Sequence, residues 1–150
     1  MDGTIAVILK PGAPEAVEAA KKLRTLVPQS RLVTEKEGYH AVEGVPELER
    51  LEPEDLERQC EMVVVLGGDG TLIHAASLFR TRSVPILGIN LGTIGFLTEV
   101  TLDEMGDAVA AAISGKLDVG ERIVDGEAPL DAETAVIGRP HPDGVGFLGI

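Results

Sequence analysis

Met62-Val63-Val64-Val65-Leu66 runs directly into Gly67-Gly68-Asp69-Gly70-Thr71, and that junction leaves the chain few ways to fold. A strand with one wet face alternates apolar and polar residues, and this run does not, so it suits the middle of a parallel sheet covered on both faces. The glycine-rich turn that follows, with Leu72, Ala75, Ala76 and Phe79 then at helical spacing, makes the unit strand, turn, helix.

The rest of the chain repeats the pattern. Thr4–Leu9 reads as a buried strand closed by Lys10-Pro11-Gly12, and Pro14 opens a helix whose apolar face is Ala16, Ala20, Leu23 and Val27. Glu18 and Lys22 stand at the spacing of a helical ion pair, and Val27-Pro28 ends the helix. Arg31–Thr34 is a candidate short strand, residues 35–52 lack periodicity and read as loop, and Pro53–Gln59 reads as one or two helical turns. Pro85-Ile86-Leu87-Gly88-Ile89 is a second buried strand, ending in the non-regular segment Asn90–Leu97. Thr101 and Glu104 have capping-box spacing, and Leu102, Met105, Val109 and Ile113 trace a helix that Gly115 can end. Alternating strands and helices imply parallel strands with right-handed crossovers: an α/β fold, an open, mostly parallel, Rossmann-like three-layer sandwich.

Composition supports this and narrows the function. With no Trp, one Tyr and three Phe, the core is built of Val, Leu, Ile and Ala, the residues of buried parallel strands. A formal net charge of −12 with no basic stripe excludes a surface that neutralises nucleic acid or an anionic membrane. Seven carboxylates between Glu43 and Glu57 face only Arg50 and read as a solvated surface. The single cysteine, Cys60, allows no internal disulfide. No run of about 18 apolar residues suggests a membrane span, and no secretion signal opens the chain, so a cytoplasmic protein is expected. No metal site on the chain is expected either.

In open parallel sheets, ligands bind beyond the carboxyl ends of the strands, where both glycine-rich segments lie. Gly67, Gly68 and Gly70 permit turns that a side chain would obstruct and let N–H groups approach a phosphate at a helix N-terminus. Asp69 stands out there, because a carboxylate repels phosphate. It is either a helix cap or the group that orients a substrate hydroxyl and accepts its proton.

Val64-Val65-Leu66-Gly67-Gly68-Asp69-Gly70-Thr71, followed by Ile86-Leu87-Gly88-Ile89-Asn90-Leu91-Gly92-Thr93-Ile94-Gly95-Phe96-Leu97-Thr98-Glu99, resembles the NAD kinase family. Together and in this order the two motifs are far more specific than either alone, and with the opening strand-Lys10-Pro11-helix pattern the likeness covers residues 4–122. The resemblance implies phosphoryl transfer from ATP, or from inorganic polyphosphate, to the 2′-hydroxyl of the adenosine ribose of NAD, with Mg²⁺ accompanying the donor. It implies that Asp69 is the proton acceptor and that Gly67, Gly68, Gly70 and Thr71 form the nucleotide-binding turn. By the same resemblance His74 contacts NAD, Phe96 lines the adenine pocket, and Asn90 and Thr93 belong to the second loop. Taken from the residues alone, His74 and Phe96 also fit as packed side chains, and Asn90 and Thr93 as partners of loop backbone.

The resemblance implies that family members continue into a β-rich second domain, whose motifs are not expected within these residues. Residues 1–120 are thus expected to be the nucleotide-binding α/β domain, and residues 121–150 an atypical tail, either an extra strand or a remnant of the lead into that domain. Without that neighbour, one face is expected to be open to self-association into a homo-oligomer. Two rival functions remain. A lipid kinase of the diacylglycerol or sphingosine type shares the first turn, but its second loop resembles Gly-Thr-Gly-Asn, unlike Gly92-Thr93-Ile94-Gly95-Phe96 here. A truncated or engineered nucleotide-binding domain would fold and perform no transfer.

Overall fold

The computed structural model describes residues 3–36, 45, 48–79, 84–92, 100–113, 117–118, 136–141 and 144–147. Strand β1 (Thr4–Leu9) leads through Pro11-Gly12 into helix α1 (Pro14–Leu26), with the proline at the helix start, where its missing N–H has no intrahelical partner to lose. β2 (Arg31–Glu35), β3 (Glu49–Leu51) and α2 (Pro53–Gln59) follow, then β4 (Met62–Gly67), α3 (Asp69–Ser77) and β5 (Pro85–Asn90). A two-residue strand β6 (Val100–Thr101) passes into a 3-10 turn (Leu102–Glu104) and α4 (Met105–Ile113). The turn is closed by Glu104 Oε1, which accepts from the Thr101 N–H at 3.0 Å and the Thr101 hydroxyl at 2.8 Å, as the spacing predicts.

The sheet order is β3-β2-β1-β4-β5-β8, all parallel, where β8 is Val136–His141; β9 (Gly144–Phe147) adds antiparallel to β8, and β7 (Leu117–Asp118) pairs β9. β6 and β8 share one edge of β5, β8 beside Pro85–Leu87 and β6 beside Ile89-Asn90. The central strand β4 is buried along its whole length. Its alternate residues enter two separate cores. Met62, Val64 and Leu66 pack with Ile5, Val7 and Leu9 under Ala16, Ala20 and Leu23 of α1 and Met105, Ala108 and Val109 of α4. Val63 and Val65 pack with Ala6, Ile8 and Val33 under Leu56 of α2 and Leu72 and Ala75 of α3. Helices on both faces of an open, largely parallel sheet give the three-layer α/β architecture expected from the sequence, and residues 136–141 and 144–147 extend that sheet.

Two local readings change. Within residues 35–52, read as loop, Glu35 continues β2 and Glu49–Leu51 forms β3, with Val33, Thr34 and Glu35 opposite Glu49, Arg50 and Leu51. Three residues are too few to show periodicity, and pairing with β2 supplies what propensity does not. Glu18 meets Lys21, at 3.5 Å, rather than Lys22. Among the acidic residues read as surface, Glu49, Glu52 and Asp55 pair with Arg31, Lys36 and Arg58.

Candidate active site

α1 lies on one face of the sheet and α3 on the other. This follows from right-handed crossovers run in opposite directions: β1 to β2 moves one way across the sheet, β4 to β5 the other. The loops after β1 and β4 therefore leave toward opposite faces, and between the tips of these neighbouring strands a crevice opens.

Three strand tips meet there. The Lys10 N–H donates to the Leu66 carbonyl at 2.9 Å, tying the end of β1 to the end of β4. Gly67 is paired with Asn90 in the ladder, and the Leu91 N–H donates to the Gly67 carbonyl at 3.1 Å, tying the second loop to the first. The two motifs, separate in the sequence, are joined at their first residues. Thr93 and Phe96 lie outside the described residues.

The glycines of the turn have different reasons to be glycine. A Cβ on Gly67 would stand 2.6 Å from Thr71 Oγ1 and 3.0 Å from Lys10 Cβ, so the fold itself demands glycine there. Around Gly68 and Gly70 a Cβ would meet nothing within 4 Å. Neither has a positive φ; among the described residues only Gly12 does, at 69°. Obstructed backbone turning, expected from the sequence for the whole motif, therefore does not explain Gly68 and Gly70. Open space above both leaves room for another molecule to approach the backbone.

α3 begins at Asp69, three residues earlier than its apolar pattern indicates, with Gly68 as N-cap and the Leu72 N–H donating to the Gly68 carbonyl at 3.1 Å. Asp69 is thus the first helical residue rather than the cap. Helix geometry gives the N–H groups of Asp69, Gly70 and Thr71 no carbonyl within the helix, and the positive end of the helix dipole lies with them. Asp69 is half-buried, Gly70 exposed, and Thr71 buried against Gly67. The arrangement places anion-seeking amides and one carboxylate on a single turn, the combination needed to hold a phosphate beside a hydroxyl.

Asn90 is buried at the end of β5, and its Oδ1 accepts from the Gly92 N–H at 2.8 Å. This is the loop-shaping role that strand-end polar residues commonly take. His74, on the same helix as Asp69, is partly exposed, and its Nε2 lies 2.7 Å from Glu35 Oε1 at the tip of β2. Sequence reading missed Glu35 because its segment shows no period, although a Glu closing the run Leu32-Val33-Thr34 is a signal that was present. Among the described residues no group of three or more His, Cys, Asp or Glu is placed to hold a metal ion, and no helix is long and apolar enough to cross a membrane.

Comparison with known proteins agrees with this geometry. The ATP-NAD kinase N-terminal domain family matches residues 5–117. The chain is similar to the NAD kinase of Geobacter metallireducens, 43% identical over 124 residues, covering 80% of this chain and 42% of that protein. It is 54% identical over 72 residues to the NAD kinase of Geobacter sulfurreducens, covering 48% of this chain and 25% of that one. The chain therefore spans less than half the length of these relatives. The crystal structure of yeast NADH kinase complexed with NADH has a similar fold, with a TM-score of 0.64 at 24% identity, over 75% of this chain and 36% of that one. With its two motifs joined at the tips of β4 and β5 and its family match spanning most of the sheet, the chain belongs to the ATP-NAD kinase family through that family's N-terminal domain.

Proposed function

We propose that this chain is the nucleotide-binding part of a phosphotransferase that moves a phosphoryl group from ATP, or from inorganic polyphosphate, to the 2′-hydroxyl of NAD, giving NADP. The observation that carries the reading is the turn at the start of α3, where first-turn amides that helix geometry leaves without an intrahelical acceptor and the Asp69 carboxylate lie beside the tip of β5. In this reading the 2′-oxygen attacks the terminal phosphorus of the donor, the bond from that phosphorus to its bridging oxygen breaks, and ADP or a polyphosphate one unit shorter leaves. The hydroxyl proton passes to Asp69. A carboxylate at a helix N-terminus is stabilised in its ionised form and is a weak base. Asp69 therefore orients the hydroxyl first and takes the proton late, as the bond to phosphorus forms.

Gly67, Gly68, Gly70 and Thr71 form the turn that holds phosphate. His74 contacts the dinucleotide, and Asn90, Thr93 and Phe96 belong to the second loop, with Phe96 against adenine. Mg²⁺ travels with the donor's phosphates, and the protein works in the cytoplasm, with self-association open to it. Residues 1–120 make up the nucleotide-binding domain. Support for this reading comes from NAD kinases sharing up to 54% identity over the aligned segment. The lipid-kinase and non-catalytic alternatives gain nothing from the comparisons.

The test is to incubate the purified chain with NAD, Mg²⁺ and ATP or polyphosphate and assay NADP. Asp69→Asn is expected to keep the fold and lose about 10²- to 10⁴-fold in rate, the range for removing a positioned proton acceptor. An Asp69→Asn variant of undiminished rate refutes the role of Asp69, and a well-folded wild-type chain that makes no NADP with either donor leaves the non-catalytic domain as the reading of this chain.

A further inference from the structure

Among the described residues, Glu35 is the one charged residue in the buried set. Its side chain is 6% exposed, Oε1 lies 2.7 Å from His74 Nε2, and Oε2 is buried with no hydrogen-bond partner among the described residues. Such a group is a poor choice for stability alone. Withdrawing a carboxylate from water carries a large penalty, one bond with a partly exposed histidine offsets only part of it, and an apolar residue of similar volume is often as stable or more so. Glu35 nevertheless continues the face of Val33 at the tip of β2 and reaches α3, the helix that starts at Asp69.

We propose that Glu35 is a positioning residue for the nucleotide site, holding the His74 ring in one orientation and one tautomer before the dinucleotide arrives. This rests on the reading of His74 as a dinucleotide contact. A carboxylate only accepts hydrogen bonds, so Nε2 carries the proton and donates, which fixes the ring about both of its side-chain torsions. A ligand then meets a preset imidazole and need not order it. Partners behind a working histidine commonly act in this way.

Four variants test this: Glu35→Leu, Glu35→Gln, His74→Gln and the double variant Glu35→Leu/His74→Gln. Without ligand, proton NMR should show a downfield imidazole N–H that disappears in Glu35→Leu and His74→Gln and persists in His40→Gln and His141→Gln. By titration calorimetry with NAD, Glu35→Leu should bind about tenfold more weakly, as for one lost hydrogen bond to a charged group, and Glu35→Gln, which keeps an acceptor oxygen, should recover most of the loss. The double variant should be no worse than His74→Gln, because Glu35 acts only through His74. The melting temperature of Glu35→Leu should be unchanged or raised.

A ring N–H that survives in Glu35→Leu overturns the inference, as do additive losses in the double variant. So does a Glu35→Leu that melts lower yet binds NAD as wild type, which is the signature of a structural clamp. A wild-type chain with no NAD response sinks the nucleotide reading and the ligand half of this inference with it. The ring signal, read without ligand, separates that outcome from a Glu35 that never held His74.

Discussion

Replacing Gly67 and Gly70 one at a time with alanine should move stability in opposite directions. At Gly67 the new methyl group would lie 2.6 Å from Thr71 Oγ1 and 3.0 Å from both Thr71 Cβ and Lys10 Cβ. Neither neighbour yields easily, since Thr71 is 5% exposed within the first turn of α3 and the Lys10 backbone is bonded to Leu66. Overpacking of this kind costs about 1–3 kcal/mol. The stiffer unfolded chain returns about 0.4–1 kcal/mol, so a net loss of about 1–2 kcal/mol is expected. For a chain of 150 residues this lowers the melting temperature by about 2–8 °C. At Gly70, the second residue of α3, a Cβ meets nothing within 4 Å and φ is not positive. Alanine there should gain up to about 1 kcal/mol of helix propensity and raise the melting temperature by about 2–4 °C. Thermal unfolding followed by far-ultraviolet circular dichroism measures both, and urea unfolding checks them at fixed temperature. In the NADP assay, Gly70→Ala should be impaired although more stable, because the methyl group occupies space left to the phosphate. A Gly67→Ala chain that melts at or above wild type, or a Gly70→Ala chain that falls as far as Gly67→Ala, refutes the division between a glycine the fold needs and one the ligand needs.

Other perturbations probe the frame around the site. Leu66→Ala, at a fully buried position one residue before the turn, should cost about 2–5 kcal/mol in urea unfolding, and a loss under 1 kcal/mol would mean that β4 is not the packed centre of the sheet. Arg31 Nε and Nη2 donate to the two carboxylate oxygens of Glu49 at 2.7 and 2.6 Å, and these hydrogen bonds, with a smaller contribution from the charge of Arg31, hold the Glu49 carboxyl below its ordinary value. A depressed folded-state pKa contributes stability above the unfolded value and loses it as pH falls through the folded one. The small difference in stability between wild type and Glu49→Gln should therefore be present at neutral pH and close under acid. A difference that widens as pH falls would contradict the pairing.

Much of the architecture was legible in the residues. The apolar run Met62–Leu66 named the central strand because a doubly buried strand has no polar alternation to hide, and Thr101 with Glu104 announced the start of the last helix through local hydrogen-bond chemistry. β3 was not legible, since three residues that acquire strand geometry only by pairing with β2 leave no local signature. The start of α3 was misplaced because apolar spacing begins at Leu72, whereas the helix begins where the backbone first turns, at Asp69.

The sequence by itself determined the class of fold and marked the turn proposed to carry the chemistry, because both depend on residues adjacent in the chain. Only the tertiary structure decided that the two loops touch, through Leu91 and Gly67, and that Gly67 alone of its motif's glycines is required for packing. It also decided that a glutamate two strands away stands against His74. These are distances between residues far apart in the chain, set by strand order and register. No local pattern records them.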